Sequence, residues 1–179
     1  DINIIEADLR NIDSIRAIND NIYDYIFHLA AYNHVGDSFV HYSEAIHSNI
    51  TATVNFLENC PKCEKFLYVA SSEVYGFQDV VPFIESEIPF PISPYAVGKY
   101  GGELYAKMKQ HQTGQNIVGV RPFNTFGPYQ SDRAIIPELI IKCLRGDTIE
   151  TTEGTQTREF NFVENIIDGI IKIASKDFV

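Results

Sequence analysis

The chain has 179 residues, 45% of them apolar, so it has the length of one domain and enough apolar side chains to fill a core. Its formal net charge is −10 and its 14 Lys and Arg residues are scattered, which argues against nucleic acid and anionic membrane as partners. No apolar run approaches the ~18 residues of a membrane span, and no signal-peptide pattern is present.

The three cysteines are a sparse, odd-numbered set, which favours a reducing, cytoplasmic location over a disulfide framework. Cys60 and Cys63 have the spacing of a metal or redox pair. No second pair of Cys or His completes four ligands, so the sequence predicts a connection between elements there and no metal site.

Strands and helices are predicted to alternate along the chain. Strands are predicted over residues 2–5, 25–30, 66–70 and 117–121, with a short one near 148–151. The 25–30 segment is apolar enough to be buried on both faces. Helices are predicted over 12–18, 39–59, 93–112, 135–144 and 163–174, the third starting with Ser93 as N-cap and Pro94 as first residue. This order predicts parallel β-α-β units and a doubly wound α/β sheet.

Two segments depart from this regular pattern. The proline-rich stretch 77–93 is predicted to be a long connection over the active site, because loops of that length are usually functional. Gly98, Gly101 and Gly102 lie inside the 93–112 helix, where each costs about 1 kcal/mol relative to alanine. Their presence predicts close approach of another backbone or of a ligand.

Tyr95 and Lys99 are the clearest chemical signal in the chain. Residues i and i+4 of a helix share one face, so the phenol and the ammonium can meet over one ligand. A nearby cation is expected to lower the pKa of the phenol and let it take a proton from a sugar hydroxyl. Ser71, Ser72 and Glu73 follow an apolar strand and strengthen this prediction. On an extended strand end, Ser71 and Glu73 would point to one side.

With these motifs the chain resembles the extended short-chain dehydrogenase/reductases, in the NAD-dependent nucleotide-sugar epimerase/dehydratase group. The likeness runs through essentially the whole chain. It is carried by Ala7-Asp8-Leu9, Leu29-Ala30-Ala31, His34-Val35, Asn49, Ser71-Ser72-Glu73-Val74-Tyr75-Gly76, Tyr95 with Lys99, Arg121-Pro122-Phe123-Asn124 and Arg158-Glu159-Phe160.

The resemblance implies a Rossmann-like, NAD(P)-binding domain over residues 1–125 and part of a substrate-binding region over 126–179. The implied cofactor is NAD, with NADP not excluded. Tyr95 and Lys99 would meet the nicotinamide ribose, and Asn49 would tie strands beneath the cofactor. The other implied cofactor contacts are Asp8 and Leu9 at the adenine edge, Leu29, Ala30 and Ala31 under the dinucleotide, and Pro122.

The implied substrate is a nucleotide-diphosphate sugar. Ser71 would hydrogen-bond the sugar oxygen that is oxidised, and His34, Asn124 and Arg133 would lie on the substrate side. Arg158 would bind the diphosphate, since a planar guanidinium suits phosphate oxygens. Taken alone, Asp8 also fits a solvated turn and Arg158 a surface ion pair.

The resemblance also has a gap. Members of the group begin with a glycine-rich turn that holds the pyrophosphate. No such fingerprint is found here, and the chain starts where the family's third strand would lie. We therefore expect an internal fragment that lacks the first β-α-β unit.

All members of the group share oxidation at C4, which Tyr95 would start. Glu73 would then stand beside the oxidised carbon and could take the acidified C5 proton. We therefore expect a 4,6-dehydratase, with Ser71, Ser72, Glu73, Tyr95 and Lys99 as its catalytic residues. A 4-epimerase, a nucleotide-glucuronate decarboxylase and an inactive sugar-nucleotide-binding module stay open as alternatives. The family's usual dimer predicts a homodimer through helices 39–59 and 93–112, with close packing on the glycine face.

Overall fold

The computed structural model of the chain describes residues 2–18, 21–79 and 81–176. The chain divides into two compact units, Asp1–Arg121 and Pro122–Val179. No helix in the described ranges is long and apolar enough to cross a membrane. The assignment of residues 1–125 to cofactor binding and 126–179 to substrate binding stays a prediction.

The first unit is a three-stranded parallel sheet with helices, a Rossmann-like arrangement as the sequence predicts. The central strand pairs with one strand on each side, Phe27 opposite Leu67 and Leu67 opposite Val118. The elements in chain order are α1 (Ile12–Arg16), β1 (Tyr23–His28), α2 (Val35–Ser38), α3 (Tyr42–Ile46), a π-helical segment (His47–Thr51), α4 (Ala52–Asn59), β2 (Cys63–Val69), a 3-10 helix (Ser72–Tyr75), α5 (Pro94–Thr113) and β3 (Ile117–Val120).

The core of this unit lies between the central strand and the helices. Phe66, Tyr68 and Ala70 alternate along and just beyond β2 and are buried with Leu57 of α4 and Ala106 of α5. A strand with alternate residues on one face and a helix with an apolar stripe bury that surface only against each other. This packing fixes α5 against the carboxyl end of β2.

The α5 glycines make this close approach possible. A methyl group at Gly98 would lie 2.8 Å from Asn49 Cβ, and one at Gly101 would lie 2.7 Å from Ile50 Cδ1. A methyl group at Gly102 would overlap the Tyr68 hydroxyl. The predicted close approach is therefore confirmed, but it occurs within the chain, so the glycine face gives no support to a dimer.

In the first unit one strand prediction is wrong and a second is shifted by two residues. Residues 2–5 form no strand, and Ile2 and Ile4 are exposed, because a strand needs a ladder partner and none of the described strands pairs with them. β1 starts and ends two residues earlier than predicted and is not buried on both faces, since Tyr25 and Phe27 are exposed. In the described part of the sheet β1 is an edge strand whose side chains pack on one face only.

The predicted helix over 39–59 starts three residues later and is not uniform. α3, the π-helical segment and α4 follow one another from Tyr42 to Asn59. The π turn carries Asn49, which is 1% exposed. Such one-turn widenings often occur at functional sites.

The second unit contains β4 (Asn124–Phe126), α6 (Ile135–Arg145), β5 (Phe160–Phe162) and α7 (Val163–Ala174). β4 and β5 form a two-stranded parallel sheet with Thr125 opposite Asn161. The helices agree with the prediction to within one residue. The strand predicted near 148–151 is wrong, because residues 147–159 form no regular structure. The strands of this unit are instead β4 and β5, which pair with each other and, with three residues each, are too short to be predicted from periodicity.

Candidate functional site

The first turn of α5 is fixed from both sides. Ser93 caps it, its hydroxyl accepting a hydrogen bond from Ala96 N at 3.1 Å, as the sequence predicts. Ser38 at the end of α2 is fully buried; its hydroxyl donates to Val35 O at 2.6 Å and accepts from Tyr95 N at 3.2 Å. Ser38 thus anchors the backbone of the predicted catalytic tyrosine, a role that no sequence pattern indicates.

The Ser-Ser-Glu run lies at the carboxyl end of β2. Ser71 is buried, and its hydroxyl caps the 3-10 helix by accepting from Glu73 N at 3.2 Å. The expected extended conformation is wrong, because this cap turns Ser72 and Glu73 into the helix. The Glu73 carboxylate nevertheless lies close enough to Tyr95 for its charge to act on the phenol.

The pKa of Tyr95 moves in the direction opposite to the one expected. Burial raises it, a hydrogen bond with the Ser71 hydroxyl lowers it, and the Glu73 carboxylate raises it again. The Lys99 ammonium is not among the groups that shift it. Tyr95 is therefore a neutral phenol near pH 7 on which burial, the Ser71 hydroxyl and the Glu73 carboxylate all act.

Lys99 is a buried cation, with 3% of its surface exposed. Burial lowers its pKa to about 8. Among the described residues its ammonium has no anionic or hydrogen-bonding partner, and it lies 5.3 Å from the centre of the Tyr68 ring. A cation that has lost its water and faces only an aromatic ring is a group prepared to donate hydrogen bonds to a ligand.

Beneath Lys99 lies a buried polar network that the sequence analysis missed. Tyr68 donates its hydroxyl proton to Lys99 O at 2.9 Å. His28 Nε2 lies 3.0 Å from Thr53 Oγ1, which donates to Asn49 O at 2.8 Å. Thr53 has one proton to give, so the imidazole is the donor in its pair with Thr53. Burial, and to a smaller extent the Lys99 charge, lowers the pKa of His28 to about 4 and keeps it neutral.

Asn49 ties this network to the chain that follows β1. Its side-chain oxygen accepts from Tyr32 N at 2.8 Å, and its amide donates to Tyr32 O at 3.2 Å. Leu29 and Ala30 are exposed and Ala31 is half-buried just before this clamp. Their predicted place under a dinucleotide stays a prediction.

Asp8 and Leu9 form a turn held at both ends. Asp8 binds Arg10 through its carboxylate, at 2.8 Å to Nη2, and this hydrogen bonding holds the pKa of Asp8 below its ordinary value. Asn55 of α4 donates to the carbonyls of Leu9 and Arg10 at 3.4 and 3.1 Å. The adenine role of Asp8 and Leu9 stays a prediction.

His34 caps α2, with Nδ1 accepting from Asp37 N at 2.9 Å. This nitrogen is therefore an acceptor, which suits a positioned side chain better than a metal ligand. Its predicted substrate contact is untested. No group of three His, Cys, Asp or Glu side chains suited to a metal occurs in the parts of the chain that the structure describes.

The remaining predicted residues belong to the second unit. Asn124 donates from its amide to Glu159 O at 3.2 Å, and Arg158 donates to Thr157 O at 2.7 Å. Arg133 N donates to Ser131 Oγ at 3.3 Å, and Pro122 opens the unit. The roles predicted for these four residues stay predictions.

The proteins that the chain matches include both epimerases and dehydratases. It is 30% identical to UDP-glucuronate 4-epimerase 4 of Arabidopsis thaliana over 94% of this chain and 40% of that protein. Among solved structures, it matches UDP-N-acetylglucosamine 4-epimerase from Methanobrevibacter ruminantium M1 in complex with UDP-N-acetylmuramic acid. The sequence identity is 34% and the TM-score 0.83, and the match covers 97% of this chain and 56% of that one. The chain is 28% identical to a double mutant of the dTDP-glucose 4,6-dehydratase DesIV from Streptomyces venezuelae with NAD bound (TM-score 0.88, 94% and 53%).

The chain spans about half the length of the curated relatives it matches. The family model of the NAD-dependent epimerases/dehydratases matches residues 1–178. The capped helix with Tyr95 and Lys99, the Ser-Ser-Glu turn at the end of β2 and this match together show that the chain belongs to the NAD-dependent epimerase/dehydratase family.

Proposed function

We propose that the protein carrying this chain is an NAD(P)-dependent nucleotide-sugar 4,6-dehydratase. The observation that supports this choice is that Glu73 follows the Ser71 cap in the 3-10 helix and that its charge adds to burial in raising the pKa of the Tyr95 phenol. It gives the candidate site a second acid–base group besides the one that would act on the C4 hydroxyl. Oxidation alone needs only the first group.

The residues around Lys99 fit the ribose end of a dinucleotide. Its ammonium is buried, has lost its hydration and lacks a partner among the described residues, so the hydroxyls of a ribose would supply the missing acceptors. Ligands of parallel α/β sheets bind at the carboxyl ends of the strands, where Ser71 and the 29–31 segment lie. NAD, when bound there, would accept a hydride from C4 and later return it.

Tyr95 would take the C4 hydroxyl proton while the Ser71 hydroxyl holds the same oxygen. Because burial and Glu73 raise the Tyr95 pKa, the phenol needs positive charge nearby to act as a base near pH 7. The Lys99 ammonium shares the helix face and is a group that could provide it. Its pKa of about 8 keeps it mostly charged at pH 7.

Glu73 would carry the second half of the reaction. The C4 carbonyl acidifies the C5 proton, which the carboxylate takes; the carboxylic acid thus formed gives a proton to the departing C6 hydroxyl, and water leaves. Ser72, the residue before Glu73, has no carboxyl group, so the Glu73 carboxyl would serve as base and then as acid.

A 4-epimerase is the second candidate, because epimerases stand beside dehydratases among the similar proteins. It would need the same Tyr95, Ser71 and Lys99 but no C5 chemistry. The fate of C5 therefore distinguishes the two functions.

The test uses the full-length protein with NAD in deuterated water and a panel of UDP-glucose, UDP-N-acetylglucosamine, dTDP-glucose and UDP-glucuronic acid. Loss of water with deuterium at C5 supports the dehydratase. An isomer of unchanged mass without C5 deuterium means a 4-epimerase, and loss of carbon dioxide means a decarboxylase. Binding of a sugar nucleotide without turnover means an inactive binding module.

We also propose that the full-length protein is a homodimer through helices 39–59 and 93–112. Val97, Leu104 and Met108 form an exposed apolar stripe along α5, and Tyr42 is exposed at the start of α3. A dimeric mass in solution that Leu104→Glu converts to a monomeric one supports this interface. A monomeric mass for the unmodified protein contradicts it.

A further inference from the structure

We infer that Arg121 is a positioning residue, which joins the 3-10 helix that carries Glu73 to the α5 face that carries Tyr95, through Tyr75 and Glu103. The inference rests on the proposed function and adds residues to its machinery. All of these side chains belong to the first unit.

The first connection joins Arg121, which directly follows β3, to α5. Arg121 Nε and Nη2 donate to the two oxygens of Glu103 at 2.8 and 2.6 Å. Glu103 is 3% exposed, and burial alone would raise its pKa, but the hydrogen bonds from Arg121 and Lys107 outweigh burial and hold the pKa below its ordinary value. A two-pronged bond to a buried carboxylate fixes the plane of the guanidinium as well as its distance.

The second connection joins Arg121 to the turn that carries Glu73. The guanidinium carbon lies 4.7 Å from the centre of the Tyr75 ring, over its face. Glu103 and, to a smaller extent, Tyr75 raise the pKa of Arg121. Tyr75 is 3% exposed and ends the 3-10 helix of which Glu73 is the second residue. Moving Tyr75 therefore moves Glu73.

The helix face completes the connection. Tyr95, Lys99 and Glu103 follow one another at intervals of four residues, so they lie on one side of α5. Arg121 thus holds the turn that bears Glu73 to the same helix face that bears Tyr95. A planar cation that binds a carboxylate edge-on and a ring face-on does both tasks at once, which lysine cannot do.

Tyr75 has another support that keeps its turn folded when the side chain is altered. Gln78 Nε2 donates to Tyr75 O at 2.6 Å and to Ile88 O at 3.0 Å. Tyr75→Phe keeps this bond and the buried ring, and loses only the hydroxyl that contributes to the raised pKa of Arg121 beside Glu103. It is therefore the mild variant, and Arg121→Lys is the stronger one.

Lys107 supplies the matched control. Its ammonium lies 2.7 Å from Glu103 Oε1, so it binds the same carboxylate as Arg121, but it is 60% exposed. Lys107→Gln removes a cation from Glu103 and leaves the Arg121 connection to Tyr75. A merely structural effect of weakening an ion pair of Glu103 would appear in both variants.

The experiment measures two steps in the full-length protein with the sugar of the panel that the unmodified protein consumes: NAD reduction, which reports C4 oxidation, and C5 deuterium exchange. Arg121→Lys is expected to slow C5 exchange at least tenfold and Tyr75→Phe several-fold, while both change NAD reduction less than threefold. Lys107→Gln is expected to change neither. Equal loss of both steps in Tyr75→Phe, or equal behaviour of Lys107→Gln and Arg121→Lys, would overturn the inference.

A second measurement separates this inference from the proposed function. If the unmodified protein shows no C5 exchange, the dehydratase proposal fails. The positioning role is then decided by crystal structures of the full-length protein and its Tyr75→Phe variant. A longer separation of the Glu73 carboxylate from the Tyr95 hydroxyl in the variant supports the role, and an unchanged separation refutes it.

Discussion

Lys99 and Tyr68 hold each other at two points. The ammonium lies 5.3 Å from the centre of the Tyr68 ring, and the Tyr68 hydroxyl donates to the carbonyl oxygen of Lys99 at 2.9 Å. The Tyr68 side chain thus contacts both the ammonium group and the backbone carbonyl of Lys99. The ring cannot replace the hydration of a full charge, so the arrangement keeps a cation in place at a cost in stability.

Lys99→Met is expected to stabilise the protein. The difference between the ordinary Lys pKa of 10.5 and about 8 corresponds to about 3 kcal/mol of folding free energy at pH 7. Loss of the contact with the Tyr68 ring offsets about 1 kcal/mol of this. Urea unfolding of the full-length variants should show a gain of about 2 kcal/mol, together with loss of NAD reduction.

The sign of the pH dependence provides a check on Lys99. The folded state binds fewer protons than the unfolded state between pH 8 and 10.5. The free energy of unfolding of the unmodified protein should therefore rise relative to that of Lys99→Met as pH rises through this window. Lys109→Met is the control on the same helix, because Lys109 is paired with Glu58 at 2.7 Å and its loss should destabilise slightly. A Lys99→Met protein less stable than the unmodified one would contradict the claim that the buried Lys99 charge destabilises the fold.

His28 should make stability fall on mild acidification. Its folded-state pKa of about 4 lies below the ordinary value of 6.5, so the unfolded state takes up the proton first as pH falls. The contribution of neutral His28 to the free energy of unfolding is fully present above pH 6.5. It falls progressively down to about pH 4, by about 3 kcal/mol in all. Urea midpoints measured from pH 7 to 5 avoid most carboxyl titration.

The matched variant for this prediction is His28→Phe, which keeps a ring between Phe56 and Tyr68 and cannot be protonated. Thr53 still donates to Asn49 O in that variant, so its hydroxyl proton stays satisfied. The slope between pH 7 and 5 should become shallower. An unchanged slope would mean that His28 is not the group responsible.

The sequence predicts the parts of this site that obey local rules. The Ser93 cap and the Pro94 start set the α5 helix, and the spacing of Tyr95 and Lys99 follows from its period. It fails where one side chain overrides the local pattern. The Ser71 hydroxyl turns the chain into a 3-10 helix that strand alternation does not predict. Likewise, the spacing of Tyr95 and Lys99 says nothing of burial, which dominates the pKa of Tyr95.

Contacts between distant segments are equally absent from local patterns. Ser38 reaches Tyr95 N across 57 residues, and His28 reaches Thr53 across 25. The glycines of α5 are an exception, because their cost in a helix signals close packing even before the partner is known. The pairing of Arg121 with Glu103 has no such signal, although Glu103 follows Lys99 by one turn and shares its face.

Gly98→Ala is expected to destabilise the protein by about 2 kcal/mol. The new methyl would lie 2.8 Å from Asn49 Cβ and 3.3 Å from Ala45 O, neither of which is the end of a flexible side chain. Gly169→Ala in α7 is the control, because nothing lies within 4 Å of its added methyl. That variant should be stabilised by about 1 kcal/mol through helix propensity. Equal effects of both variants on the urea midpoint would show that α5 does not pack closely at Gly98.

Glu73→Gln should separate the two halves of the proposed reaction. Loss of the carboxylate is expected to slow C5 deuterium exchange about 10³-fold, the typical contribution of general acid–base catalysis, and to leave NAD reduction in place. Because the Glu73 charge raises the pKa of Tyr95, its removal should also move the pH profile of NAD reduction to lower pH. Tyr95→Phe should lose both steps, and Glu85→Gln, an exposed carboxylate in the 77–93 connection, should lose neither. Normal C5 exchange in Glu73→Gln would rule out Glu73 as the base and with it the dehydratase built on this residue.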